Sequence, residues 1–227
     1  MGVKGNIAID GPAGAGKSTV AKLVAEELGY IYIDTGAMYR AITWKALFNK
    51  INLFDEDKLI KLATNTRIDF RFNFKTKDQF IYYDGKDITN EIRSPEVSKH
   101  VSDVAKVSGV RTILLKQQQL LAEGNNVVMD GRDIGSNVLP EAPFKFFLTA
   151  SVEERAKRRF IELCNKGFKV TQLELIQDIL KRDKADQERK IAPLVKVPEA
   201  IEIDTSYFSP EEVAERIIHI IRNNQKD

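Results

Sequence analysis

The sequence predicts an α/β protein: a parallel sheet flanked by helices, with a small antiparallel β-rich insert and a helical hairpin that reads as a lid. Three observations carry this. Five short apolar runs, at residues 7–9, 30–33, 127–129, 144–148 and 200–203, read as buried strands. Helical patterns separate most of them, which in an open sheet implies parallel strands with helices on the faces. Between the second and third runs the hydrophobic period changes from helical to alternating, the mark of a half-buried strand.

Taken in order, Ile7, Ala8 and Ile9 run into Asp10 and a glycine-rich turn, after which Val20, Leu23, Val24 and Leu28 recur at helical spacing until Gly29. In the insert, Ile68, Phe70, Phe72 and Phe74 share one face while Arg67, Asp69, Arg71 and Asn73 share the other. Residues 79–83 supply a second strand, and Asp84-Gly85 predicts a two-residue hairpin into a third at 86–88. One face of this meander is too polar for a central sheet, which places it at the edge of the core. Ser151 and Glu154 make a capping box for a helix bearing Arg155, Lys157, Arg158 and Arg159. That helix breaks at 165–168, around Gly167, and a second one spans 173–189. The last helix has Ser209 as N-cap, Pro210 at its first position, Glu212 closing a capping box, and Val213, Ile217 and Ile220 along one face.

Composition bounds the function. The 227 residues, 43% hydrophobic and 30% charged, suffice for one sizeable core. Lys and Arg total 35 against 33 Asp and Glu, so no bulk charge attracts nucleic acid or an anionic membrane, and any basic site must be local. The single cysteine, Cys164, has no internal disulfide partner and no metal-ligand neighbour, and reads as a buried or half-exposed thiol. Residues 1–6 lack the pattern of a secretory leader, and no apolar stretch reaches membrane-spanning length. A cytoplasmic monomer with no membrane or nucleic-acid partner is the expectation.

The chemistry begins at GPAGAGKS, residues 11–18, which fits G-x-x-x-x-G-K-[ST] and stands between a predicted strand and a predicted helix. Gly11, Pro12, Ala13, Gly14, Ala15, Gly16, Lys17, Ser18 and Thr19 form the candidate triphosphate-binding segment. Glycines let backbone N–H groups wrap the phosphates closely. Lys17 reaches the outer phosphates, Ser18 ligates Mg²⁺, and the helix N-terminus adds its partial positive charge. A GTPase would carry N-K-x-D and D-x-x-G, but Asn49-Lys50-Ile51-Asn52 lacks the aspartate, and no Asp is followed three residues later by Gly.

Arginines next to acids recur in spaced groups. DTGAMYR at 34–40 follows the second strand and DGRDIG at 130–135 the third, at the strand ends where open α/β sheets bind ligands. Arg182, Asp186 and Arg189 fall at i, i+4 and i+7, hence on one face of the predicted helix. That face clamps anions or is solvated; the spacing leaves both readings open. Two basic helices joined by a glycine-containing loop suit a mobile lid over phosphates. The resulting layout is a single unit with a core at 1–63, 89–150 and 191–227, an acceptor-binding insert at 64–88 and a lid region at 151–190.

In this order GPAGAGKST, DTGAMYRA, EIRSPEVS, DGRDIGS, RDKADQERKIAPL and the terminal IDTS resemble the bacterial cytidylate kinases over nearly the whole chain. The resemblance implies a five-stranded parallel P-loop sheet, ATP as donor, Mg²⁺ as cofactor and CMP or dCMP as acceptor. It makes Lys17, Arg132, Arg182 and Arg189 the catalytic cations. Thr35, Arg40, Arg132, Arg182 and Arg189 become contacts to the acceptor sugar or phosphate, and Asp186 the contact to its ribose. Ser102, Arg111 and Asp133 become the cytosine readers. Asp130 is placed like an acid that holds Mg²⁺ through water. Ala13 replaces the commoner serine of that loop, which removes one side-chain hydrogen bond but no backbone donor.

Electrostatics points the same way. Triphosphate and monophosphate together bring roughly six negative charges to one site. One Mg²⁺ and Lys17 leave about half of them unmet, so several arginines are required. The attacking phosphate oxygen is already ionised, and no general base is expected. A kinase for shikimate, gluconate or another nucleotide would share the loop but lack the β-rich insert and the Arg182, Asp186, Arg189 group. A non-enzymatic nucleotide sensor or nucleic-acid binder is disfavoured by the balanced charge and by the want of an interleaved basic and aromatic patch. His100 and His219 show no chemical role.

Overall fold

The computed structural model describes residues 5–73 and 78–224. Phe74 of the alternating stretch and residues 1–4 of the N-terminal segment lie outside the described residues, as does the Phe72 side chain. Along the chain run strands β1 (Ile7–Asp10), β2 (Ile31–Asp34), β3 (Ile68–Asn73), β4 (Asp78–Tyr83), β5 (Lys86–Asp87), β6 (Val127–Gly131), β7 (Phe144–Thr149) and β8 (Ile201–Asp204). The helices are α1 (Lys17–Leu28), α2 (Thr35–Phe48), α3 (Glu56–Thr64), α4 (Pro95–Ala105), α5 (Ser108–Ala122), α6 (Val152–Asn165), α7 (Gln172–Glu188) and α8 (Pro210–Asn223). They form two compact units, Met1–Ile33 with Ala122–Asp227, and Asp34–Leu121.

Unit 1 carries the five-stranded parallel sheet, in the order β2-β6-β1-β7-β8. β1 and β6 are buried at every residue, as continuous apolar runs covered on both faces require. The strands run past the predicted apolar cores into Asp10, Asp34, Gly131, Thr149 and Asp204. Ladder bonds need only backbone, so pairs such as Asp10 with Gly131 and Thr149 with Asp204 continue the sheet where hydrophobicity stops. Val20 and Val24 of α1 and Ile217 and Ile221 of α8 pack with Ile7, Ile9, Phe146 and Leu148 of the sheet. Gly29 ends α1 in the left-handed region, with its N–H turned back to Ala25 and Glu26.

The helical hairpin of α6 and α7 has its own apolar seam of Ala156, Leu163, Leu175 and Ile179. Three sequence expectations are corrected here. Ser151 does accept the Glu154 N–H at 3.2 Å, but the Glu154 carboxylate pairs with Arg158 at 3.3 Å, so the predicted box is half made. A full reciprocal box, Thr171 with Glu174, opens α7 instead. Arg189 is not on the helix: it follows Glu188 with extended backbone, φ −64° and ψ 139°, so its side chain departs in its own direction. Cys164 is exposed, because it sits one residue past Leu163 and so off the seam.

Unit 2 is built on α2. Met38, Ile42 and Ala46 meet Leu59 of α3, Val104 of α4, and Val110 and Leu114 of α5. Ala37 and Ala41 leave room for Ile81, Ile88 and Ile92 to close on the helix. The insert is the predicted antiparallel meander, β3-β4-β5. Ile68 and Phe70 face its packed side while Arg67 and Arg71 are exposed. Asp84 and Gly85 both have positive φ, 45° and 83°, which makes the two-residue hairpin and explains the Asp-Gly pair. Among the described residues no helix is long and apolar enough to cross a membrane.

Ile217 is fully buried between α8 and the sheet. Ile217→Ala is expected to lower unfolding free energy by about 2–5 kcal/mol, measured by urea denaturation followed by circular dichroism.

Candidate active site

The loop between β1 and α1 is shaped by backbone that only glycine tolerates. Gly11 has φ 143°, and a Cβ there would stand 2.0 Å from the Leu148 carbonyl oxygen of β7. Gly16 caps α1 from the left-handed region, φ 83°, with no side-chain cap hydrogen bond among the described residues and no acid in the first turn. A helix N-terminus left open in this way receives an anion. Pro12 and Ala13 are half-buried, Gly14 and Thr19 exposed, and Ala15 fully buried. Ser18 donates to Asp130 Oδ2 at 2.9 Å, and Tyr32 donates to Asp130 Oδ1 at 2.7 Å, which fixes the carboxylate from two sides.

Lys17 is buried and donates to the Pro12 carbonyl of its own loop at 2.7 Å. Burial, with the nearby Arg132 and Arg182 guanidiniums, pushes its pKa from the ordinary 10.5 down to about 7 against the pull of Asp130 and Asp10. A buried ammonium beside two guanidiniums is one that an added anion would favour.

After β6, Arg132 and Asp133 lead into a π-helical turn at Ile134–Val138. The Asp10 carboxylate holds this turn, accepting from the Ile134 and Gly135 N–H groups at 2.8 Å each. Burial still raises Asp10 to about 6: the two N–H bonds oppose the rise and Asp133 adds to it. Arg132 Nε donates to Asp186 Oδ2 at 2.8 Å. Arg182 lies 4.0 Å and Arg189 3.9 Å from the same carboxylate, and Arg189 also donates to Asp133 at 3.4 Å. Burial works against Asp186, but Arg132, Arg182 and Arg189 together hold its pKa below the usual range. Arg182 is pushed down to about 10 by burial and by Arg132. Its buried Nε has no hydrogen-bond partner among the described residues.

These arginines are therefore not a solvated face. Unit 1 gathers Lys17, Ser18, Asp130, Arg132, Asp133, Arg182, Asp186 and Arg189, and leaves a buried donor unmet among them. The basic run on α6 sorts differently. Arg155 is buried and pairs with Asp183 at 2.7 Å, while its other N–H groups go to the Ala13 and Ala150 carbonyls at 3.0 Å each. Arg158 pairs with Glu154 and Arg159 with Glu162.

In unit 2, Asp34 caps α2 by accepting the Ala37 N–H at 2.9 Å and also takes Arg93 at 3.1 Å. Thr35 is buried at the first position of α2. Arg40 donates to the Ile92 carbonyl at 3.2 Å and to Ser98 at 2.9 Å, one turn of α4 before the half-buried Ser102. Arg111, buried on α5, donates to the Ala105 carbonyl at 3.3 Å and lies 5.4 Å from the Tyr39 ring centroid. Sequence reasoning did not single out Asp10, Tyr32, Arg93 or Asp183. The signal for Asp10 was a carboxylate closing a wholly apolar strand beside a glycine turn.

A protein-family model described as cytidylate kinase matches residues 7–223. The cytidylate kinase of Bacillus subtilis (strain 168) is 52% identical over 227 residues, covering 100% of both chains. That of Caldanaerobacter subterraneus subsp. tengcongensis is 53% identical over 220 residues, 97% of this chain and 96% of its own. An uncharacterized protein from Eubacterium ventriosum, 14% identical, shares the fold with a TM-score of 0.51 over 97% of this chain and 99% of its own. The phosphate loop, the half-buried arginine cluster around Asp186 and the full-length likeness converge, and the chain belongs to the cytidylate kinase family.

Proposed function

We propose that this chain transfers the γ-phosphate of ATP to CMP or dCMP, giving ADP and CDP or dCDP. The observation that carries the reading is the convergence of Arg132, Arg182 and Arg189 on Asp186 in unit 1, beside Lys17 of the phosphate loop at the open N-terminus of α1. An acceptor phosphate oxygen attacks the γ-phosphorus as the bond to the ADP oxygen breaks in line. That oxygen is ionised before it attacks, so no proton has to be removed. The chain's task is to hold two anions in line and to neutralise charge where it moves.

The loop N–H groups and the α1 N-terminus receive the β- and γ-phosphates, and Lys17 exchanges the Pro12 carbonyl for them. Arg132, Arg182 and Arg189 meet the acceptor phosphate and the transferred group, with Asp186 orienting the three and contacting the ribose. Asp133 reads cytosine. In unit 2, Thr35 and Arg40 contact the acceptor's sugar or phosphate, and Ser102 and Arg111 its base. Ser18 and Asp130 offer a hydroxyl and a carboxylate 2.9 Å apart, hard oxygen donors that fit Mg²⁺, Ser18 directly and Asp130 through water. When bound there, the ion adds positive charge against the phosphates. Residues 64–88 serve as the acceptor-binding insert and 151–190 as the lid that excludes water. The working form is a cytoplasmic monomer acting on small-molecule nucleotides.

Four outcomes are expected. ADP release from ATP accelerates with CMP and dCMP but little with UMP, AMP or shikimate; no acceleration by CMP or dCMP would overturn the assignment. Uracil fails because polar groups built around the cytosine amino group are left unpaired. Lys17→Ala abolishes turnover, and Arg182→Ala lowers kcat by at least about tenfold in steady-state assays. The ligand-free protein also has a pH signature. Lys17 binds a proton up to about pH 7 when folded but up to 10.5 when unfolded. The unfolded state therefore holds more protons between these values, and stability relative to Lys17→Met rises with pH across that window. Urea titrations from pH 6 to 10.5 check this; a flat difference would show that Lys17 keeps its ordinary pKa.

A further inference from the structure

The turn that closes β8, Asp204-Thr205-Ser206, touches the phosphate loop through one hydroxyl. Thr205 is 2% exposed. Its backbone N–H donates to the Thr149 carbonyl at the end of β7 at 2.8 Å. Its Oγ1 lies 3.0 Å from that same carbonyl and 3.1 Å from the Ala15 carbonyl in the loop. A hydroxyl has one hydrogen to give. Thr149 is already served by the Thr205 N–H, whereas Ala15 is fully buried and out of reach of water. The hydrogen therefore goes to Ala15. Arg158 completes the clamp: Nη1 donates to Thr205 Oγ1 at 3.0 Å and Nη2 to the Thr205 carbonyl at 2.6 Å, which leaves the hydroxyl hydrogen facing the loop.

The consequence follows from the planarity of the trans peptide, whose C=O and N–H point in opposite directions. Holding the Ala15 carbonyl against Thr205 turns the Gly16 N–H away from Thr205. Arg155 does the same one peptide pair earlier, taking the Ala13 carbonyl and so turning the Gly14 N–H. We infer that Thr205 is a positioning residue for the donor: its hydroxyl sets the Ala15-Gly16 peptide so that the Gly16 N–H faces the ATP phosphates. The inference rests on the reading of ATP as the ligand of this loop.

Thr205→Val keeps shape and removes the hydroxyl, Thr205→Ser keeps the hydroxyl, and Ser206→Ala removes a neighbouring hydroxyl that accepts the Ser151 N–H. Calorimetric binding of ATP with Mg²⁺ and steady-state kinetics are measured on each, with circular dichroism to verify folding. The Val variant should raise the ATP Kd and the KM for ATP by about fivefold, the scale of one lost hydrogen bond, with the KM for CMP within about twofold of wild type. Thr205→Ser should restore ATP binding, and Ser206→Ala should leave it unchanged. Thr205→Ala takes the place of the Val variant if that one does not fold. Unchanged ATP affinity in the folded variant, equal rises in both KM values, a Ser variant as weak as Val, or failure of both Val and Ala variants to fold would each overturn the inference. Wild-type protein that binds no ATP would instead refute the kinase reading.

Discussion

Unit 1 gathers the buried Lys17 and the half-buried Arg132, Arg182 and Arg189 with Asp10, Asp130, Asp133 and Asp186, and much of its architecture serves to keep them there. Like charges near 4 Å repel by about 4 kcal/mol at an effective dielectric of 20, so such a cluster persists only when each member is fixed by packing and hydrogen bonds. Asp186 takes the largest share, lying within 4.0 Å of three guanidiniums. Burial and the neighbouring Arg132 depress the pKa values of Lys17 and Arg182, whereas at Arg132 itself the carboxylates, Asp186 first, outweigh burial and raise it. On the proposed function, a phosphate ligand would relieve that repulsion, and the same cations would favour binding and stabilise charge during transfer.

The second requirement is that backbone dipoles face the right way. Carbonyls of the phosphate loop are taken one at a time by neighbours: Pro12 by Lys17, Ala13 by Arg155, Ala15 by Thr205. Asp10 performs the opposite service for the turn after β6, where it accepts two N–H groups and leaves Arg132 and Asp133 at a fixed exit. Side chains on helices, at strand ends and in the turn after β8 thus take up the backbone groups of these turns.

Much of this was legible in the sequence. Apolar runs located all five strands of the parallel sheet, and alternation with the Asp-Gly pair located the meander. Both signals are periodic and local, so burial on one or two faces writes them directly into residue order. The phosphate loop was legible for a similar reason, since glycine at Gly11 and Gly16 answers a backbone demand that few other residues meet. The α6 arginines were less legible. A run of Arg155, Lys157, Arg158 and Arg159 looks alike in sequence, yet Arg155 is a buried strut while Lys157 stays exposed, because helical phase against a distant Asp183 decides which one turns inward. Arg189 shows the same limit: helical spacing put it on a face, but the helix ends at Glu188.

By itself the sequence determined the α/β class, the phosphate loop, the antiparallel insert and the family resemblance, because these rest on short-range patterns and on residue types that chemistry cannot easily replace. Only the tertiary structure decided that Arg132, Arg182 and Arg189 converge on Asp186, that Asp10 grips a turn more than a hundred residues away in sequence, and that Thr205 meets Ala15. Those are contacts between side chains and strand ends brought together by sheet order, β6 and β7 flanking β1 with β8 beyond, and no local periodicity encodes which ends become neighbours. The phosphate-binding loop was written in its own residues; the charge and the hydrogen bonds that make it useful come from everywhere else.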